Sequence, residues 1–245
     1  MSTTSSSPGP AGHPGHPLAH TAVVFDLDGT LVDSEPNYFE AGRQLLAAHG
    51  VPDFGWREHE QYVGISTAET LAIWREKYAL KAPLDELLAE KNRLYLELAA
   101  AGTYAYPEMR AFVELLHARG VPMAVASGSS RAAITAILRG TGLDALLTTL
   151  VSAEEVPQGK PEPDVFLEAA RRLGVPPAAC VVLEDAAPGA VAAHKAGMQC
   201  IAIPYVAATA DDPAFATGGL VFPGGQLQFT ARAAYDWLLA SRAES

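Results

Sequence analysis

Four short apolar runs recur along the second half of the chain, at 121–126, 149–151, 179–183 and 199–203. Segments of helical spacing separate them, at 130–139, 163–173 and 188–196. In the second of these, Val165, Phe166, Ala169, Ala170 and Leu173 fall on one face of a helix. Strands that alternate with helices need crossover connections, and right-handed crossovers build a mostly parallel sheet with helices on both faces. A further buried run, Val23-Val24-Phe25, supplies an earlier strand. The pattern predicts an α/β fold with a doubly wound, mostly parallel sheet.

One block interrupts the alternation. Between residues 38 and 104 the spacing is helical throughout. Ser66-Thr67-Ala68-Glu69 reads as a capping box ahead of Leu71, Trp74 and Tyr78, and another helix follows Pro83 with Leu84, Leu87, Leu88, Tyr95 and Leu98. From Tyr106-Pro107 the pattern changes: Met109, Phe112, Val113 and Leu116 mark a helix that Gly120 stops. An inserted helical domain at 37–104 is expected, with 20–36 and 105–245 forming the α/β domain. The first 20 residues hold Ser, Pro, Gly and His but no charged side chain. They lack the basic start and apolar centre of a secretory signal, so 1–19 reads as a disordered leader. His13, His16 and His20 read as part of a flexible tail before a metal site.

Composition narrows the function. Against 17 basic side chains stand 28 acidic ones, a formal net charge of −11, which disfavours nucleic-acid binding. Anionic small molecules stay open, because net charge constrains the surface and not the pocket. Hydrophobic residues make up 49% and charged residues 18%, which suits a compact soluble protein. No apolar run reaches the roughly 18 residues of a membrane span. Cys180 and Cys200, the two cysteines, sit in apolar stretches and read as free thiols of a reducing compartment. The expectation is a cytoplasmic monomer without membrane or nucleic-acid partners.

In open parallel sheets, ligands bind at the carboxyl ends of the strands. Asp26 and Asp28 end the first strand, Ser127 ends the second, and Glu184-Asp185 end the strand Cys180-Val181-Val182-Leu183. If those strands are neighbours, at least three carboxylates converge. Two unit charges about 4 Å apart repel by roughly 4 kcal/mol at an effective dielectric near 20. Such a cluster needs protons or a cation, and oxygen-only ligands favour Mg²⁺. Lys160 can neutralise a phosphate oxygen while Ser127 and nearby backbone N–H groups donate to the others. Asp26 and Asp28, one residue apart, lie on the same side of an extended chain. That suits a nucleophile and a general acid/base serving one phosphorus centre.

At these residues the sequence resembles the haloacid dehalogenase-like (HAD) hydrolase superfamily. The match comprises Asp26-Leu27-Asp28-Gly29-Thr30-Leu31-Val32-Asp33-Ser34, Ser127, Lys160-Pro161-Glu162-Pro163-Asp164, and Glu184-Asp185 followed by Gly189, over roughly residues 21–204. The resemblance implies a Rossmann-like core with a helical cap at the inserted block. It makes Asp26 the nucleophile and Asp28 the acid/base. It implies Mg²⁺ held by Asp26, the backbone carbonyl of Asp28, and Asp185, with Glu184 beside them. Substrate binding is expected from Thr30, Glu35, Ser127, Gly128 and Lys160. Glu35 is open between touching substrate and closing the hinge. Asp164 reads as a helix cap. Ala186 departs from the family, whose close members carry serine or threonine there.

Dehalogenases of the superfamily lack the second aspartate, so Asp28 argues for phosphoryl chemistry. Asp33-Ser34-Glu35-Pro36 and the small cap look most like sugar-phosphate phosphatases and β-phosphoglucomutases. The expected activity is Mg²⁺-dependent hydrolysis of small phosphorylated metabolites, with a phosphomutase as the alternative. Mutases of that branch carry a histidine where this chain has Tyr38, and a lysine at Val63, before the cap glycine that Gly64 resembles. Arg57, Arg75 or Lys77 are candidates to compensate. From other classes come a phospho-accepting signalling domain without turnover and a catalytically dead binding protein. The first is disfavoured because acceptor and acid/base share one strand here, the second because every catalytic residue type is present.

Overall fold

A computed structural model describes residues 18, 20–63 and 67–243. His13, His16, Gly64 and the Ser66 end of the capping box lie outside the described residues. In chain order the strands are β1 (Ala22–Phe25), β2 (Val32–Asp33), β3 (Tyr104–Ala105), β4 (Met123–Ser127), β5 (Thr149–Ser152), β6 (Cys180–Glu184), β7 (Gln199–Ala202) and β8 (Gly219–Val221). The helices are α1 (Glu35–Ala48), α2 (Trp56–His59), α3 (Thr67–Lys77), α4 (Leu84–Ala101), α5 (Pro107–Ala118), α6 (Arg131–Thr141), α7 (Asp164–Leu173), α8 (Ala187–Lys195) and α9 (Ala231–Ala243).

Six strands form one parallel sheet in the order β5-β4-β1-β6-β7-β8. The α/β, doubly wound architecture expected from the alternation is thus present. β1 lies at its centre, with Phe25 opposite Val125 on one side and Leu183 on the other. Period-two alternation divides its side chains between two layers. Val23 and Phe25 pack with α5 and α6 through Phe112, Val113, Ile134 and Ile137. Ala22 and Val24 face α7 and α8, where Phe166, Ala169, Ala190 and Ala193 bury them. Removing a side chain such as Phe25 or Phe112 from water stabilises the fold by about 1.5–3 kcal/mol. Cys180 and Cys200 are buried free thiols in the second layer.

β8 and α9 are not legible in the sequence. β8 is a three-residue edge strand that opens on Gly219, too short and too glycine-rich to show a period. Leu18, assigned by composition to the leader, is buried in the first layer.

Helices α1 to α4 fill the block between β2 and β3. They pack around their own apolar cluster of Leu45, Leu46, Phe54, Leu71, Trp74 and Leu87. β2 and β3 form an antiparallel pair where the chain leaves and re-enters the α/β part, with Val32 opposite Ala105. Among the described residues, no helix is long and apolar enough to cross a membrane.

Candidate active site

The carboxyl ends of β1, β4 and β6 open into one cavity of about 710 Å³, lined on its far side by α1, α2, α3 and α4. Asp26, Asp28, Glu35, Ser127, Gly128, Lys160, Glu184 and Asp185, all singled out in the sequence, line it. Thr30 does not. It is fully buried behind the wall, with its hydroxyl 3.4 Å from Asp185 Oδ1.

Asp26 and Lys160 lie 134 residues apart in sequence, yet Lys160 Nζ donates to Asp26 Oδ1 at 2.5 Å and also to Glu184. Burial works against the ammonium, but Asp26 and Glu184 outweigh it and hold the Lys160 pKa above the usual lysine value. Glu184 accepts the N–H groups of Asp185 and Ala186 at 3.1 and 3.2 Å through its other oxygen. It therefore ties down the turn that leads into α8, whose N-cap residue Ala186 offers no side-chain acceptor of its own. Gly29 is required as glycine: its φ is +78°, and a Cβ there would lie 2.2 Å from Asp185 Oδ2.

Asp28 is held from three directions. Ser129 Oγ donates to Asp28 Oδ2 at 2.7 Å, and Ser127 Oγ to the same oxygen at 3.2 Å. Tyr95, on α4, donates to Oδ1 at 3.1 Å. Because Ser129 gives its proton to Asp28, the Tyr38 hydroxyl 3.2 Å away donates to Ser129. The Tyr38 ring stacks on Tyr95 at 4.1 Å. Donors from the sheet edge and from the helical roof thus converge on one carboxylate.

Asp26, Glu184 and Asp185 each offer an oxygen, and these atoms lie within 4.8 Å of one another. Burial pushes the Asp26 carboxyl up to about 7; Lys160 opposes the rise, while Glu184 and Asp28 add to it. Burial, and then the charges of Glu184 and Asp26, push Asp185 well above the usual carboxylate range. A cluster so short of positive charge, built from oxygen donors alone, fits a hard divalent cation.

The cavity and its surroundings hold residues that the sequence did not single out for the site. Ser129, in the turn between β4 and α6, is one such residue on the sheet side; the helix cap beside it is Ser130, whose Oγ accepts Ala133 N–H at 3.2 Å. Tyr95 read as one more apolar position of α4. Asp164 is not the N-cap expected of it: Pro163 holds that position with no side-chain cap bond, while Asp164 accepts Gln158 N–H at 3.1 Å and ties the Lys160 loop to α7. His59, buried on α2, sits 2.6 Å from Glu35 Oε1. Lys91 is 4% exposed, and its ammonium lies 4.9 Å from the Trp74 ring centroid. Burial lowers its pKa to about 8, against a small opposing pull from Glu35.

A folded-state value below the ordinary one means that charged Lys91 costs stability below about pH 8, and that the cost fades as pH rises towards the ordinary lysine value. Lys91→Met is therefore expected to raise stability at pH 7 by on the order of 2 kcal/mol. Denaturant titrations at pH 7 and above pH 10 check it; an equal gain at both would contradict this origin.

Comparison with known proteins gives the arrangement its class. The description of the haloacid dehalogenase-like hydrolase family matches residues 20–197. The phosphorylated carbohydrates phosphatase of Thermotoga maritima is 32% identical over 184 residues, 74% of this chain and 83% of that one. The bifunctional riboflavin kinase/FMN phosphatase of Arabidopsis thaliana is 36% identical over 185 residues, 75% of this chain. The match spans about half of that longer protein, 48% of its length. Among solved structures, CbbY of Rhodobacter sphaeroides in complex with xylulose-(1,5)bisphosphate superposes with a TM-score of 0.70 at 26% identity, covering 82% of this chain and 92% of that one. The chain belongs to the haloacid dehalogenase-like hydrolase family. Within it, the chain is one of the phosphatases, a phosphoric monoester hydrolase.

Proposed function

We propose that the protein hydrolyses small sugar phosphates through an aspartyl phosphate on Asp26. The observation that carries this reading is the pairing of Asp26, bound to Lys160, with Asp28, held by Ser127, Ser129 and Tyr95, inside one cavity. An Asp26 oxygen attacks phosphorus and the bond to the leaving oxygen breaks. Asp28 gives that oxygen its proton. Asp28 then takes a proton from water as the water attacks the phosphoryl group, which frees phosphate and restores Asp26. Lys160 and the Gly128 N–H, both on the cavity wall, would balance charge that builds on the phosphate oxygens, while the Ser129 N–H is committed to Ser127 Oγ at 2.9 Å.

Asp26, the Asp28 carbonyl and Asp185 would hold Mg²⁺, with Glu184 fixing Lys160 beside them. Bound there, the ion supplies charge stabilisation to the phosphoryl oxygens. Asp185→Ala is expected to weaken Mg²⁺ affinity by at least about tenfold, measured by calorimetric titration, and excess chelator to stop turnover. Full activity in chelator would refute the metal requirement.

Residues 37–104 act in this reading as a cap on a core of 20–36 and 105–245, with β2 and β3 as the connection. Sugar recognition falls to its cavity face, where Lys91 offers a donor, and to Glu35 at the junction with the core, which offers an acceptor. Exchanging the cap for that of a relative should change preference among sugar phosphates and leave a small aryl phosphate nearly unaffected. Equal loss on every substrate would count against this division.

Tyr38 favours hydrolysis over the mutase alternative. Its hydroxyl is committed to Ser129 and its ring to Tyr95, so no titratable imidazole controls Asp28 from that position. The deciding assay supplies β-glucose 1-phosphate with a trace of the bisphosphate, beside a panel of sugar phosphates, nucleotides and phosphoglycolate. Phosphate should accumulate steadily without glucose 6-phosphate. Glucose 6-phosphate without free phosphate would make the protein a mutase, and a single stoichiometric phosphorylation would make it a signalling domain.

A further inference from the structure

The segment after β8 lies beyond the family match, which ends at residue 197, yet it reaches the loop that carries Asp28. Phe222 and Phe229 pin it to the core. Both are buried, their rings lie 5.2 Å apart, and Phe229 meets Phe112 edge-on at 5.9 Å. Between these anchors the chain turns at Gly225, where φ is +58° and a Cβ would lie 2.5 Å from the Pro204 carbonyl oxygen. The turn sends Gln226 inward, while Leu227 is fully exposed.

Gln226 Nε2 donates to the backbone oxygens of Gly29 at 3.1 Å and Thr30 at 2.8 Å. Two acceptors side by side require the NH₂ end of the amide there. The other end, Oε1, is left buried without a hydrogen-bond partner among the described residues. A buried acceptor with no donor lowers stability, so the amide is explained by what it grips. Gly29 and Thr30 directly follow Asp28, and on the cavity side they press against Asp185. Gln226 closes the grip on their carbonyls.

We propose that Gln226 is a positioning residue for Asp28. By fixing the Gly29 and Thr30 carbonyls it keeps the Asp28 carboxyl among Ser127, Ser129 and Tyr95, aimed for proton transfer. The inference rests on the acid/base reading of Asp28.

The test compares two substrates in the full chain with Mg²⁺: the sugar phosphate that the wild type turns over fastest, and p-nitrophenyl phosphate, whose leaving group needs no proton. Gln226→Met keeps the reach and removes both donors. On the sugar phosphate its kcat should fall about tenfold or more, with KM within about twofold. Rapid-quench phosphorylation of the enzyme by p-nitrophenyl phosphate should stay within about threefold of wild type. Gly225→Ala, which keeps the amide but displaces it, should give the same split, and it carries the comparison if Gln226→Met does not fold. A lowered Tm with equal loss on both substrates, unchanged kcat, or failure of both variants to fold would make Gln226 purely structural and overturn the proposal. A wild-type enzyme silent on both substrates would overturn the phosphatase reading and this inference with it.

Discussion

Asp26→Asn is expected to remove at least about 10³-fold of kcat on every phosphomonoester, because an amide oxygen is a very poor nucleophile and the other catalytic groups cannot substitute for it. The change is nearly isosteric, so geometry survives. Lys160 keeps its ion pair with Glu184 and does not become an unpaired buried charge. The fold is therefore expected to persist, and intact near-ultraviolet circular dichroism beside lost turnover would separate chemistry from unfolding. Replacing Glu184 would confuse the two, since it holds Lys160 and the start of α8 together. Retention of more than about a hundredth of wild-type kcat would remove Asp26 from the nucleophile's role.

Asp28→Asn should produce a different defect. The side chain stays among Ser127, Ser129 and Tyr95 but can no longer exchange a proton with the leaving oxygen or with water. Turnover of a sugar phosphate should fall about 10²- to 10⁴-fold, the usual worth of a positioned acid/base. With p-nitrophenyl phosphate the first half-reaction should continue and the second should stall. Stopped-flow traces are then expected to show a burst of about one p-nitrophenolate per enzyme followed by a slow steady rate. A uniform slow rate with no burst would show that Asp28 is not needed for the second half-reaction alone.

The sheet and the chemical centre of this protein are legible in its sequence for one physical reason. A buried strand that ends in polar or charged groups must deliver them to the carboxyl end of the sheet, so Asp26, Ser127 and Asp185 announce their place. Strand adjacency is not set by the α/β alternation and is a condition of that reading; the sheet order meets it by placing β1 between β4 and β6. What stays hidden depends on packing across long sequence separations. Tyr95 follows the apolar spacing of α4, and only the roof over β1 turns its hydroxyl to an aspartate 67 residues earlier. Ser129 stands next to the helix cap Ser130, and only the fold turns its hydroxyl to Asp28. Lys91 sits on a helical stripe that its neighbours make apolar. Gln226 follows a short glycine-flanked edge strand, and it contacts the loop at Gly29 from 197 residues away. Nothing in the periodicity of either segment encodes that meeting.

The central claim is a covalent phosphoryl group on Asp26. Asp28→Asn enzyme, mixed with p-nitrophenyl phosphate and Mg²⁺ and quenched in acid within the burst, should yield a digest in which the peptide containing Asp26 carries the mass of one phosphoryl group. The double variant Asp26→Asn/Asp28→Asn, treated identically, should yield none. An unmodified Asp26 peptide during a measured burst, or an adduct that persists in the double variant, would contradict the account.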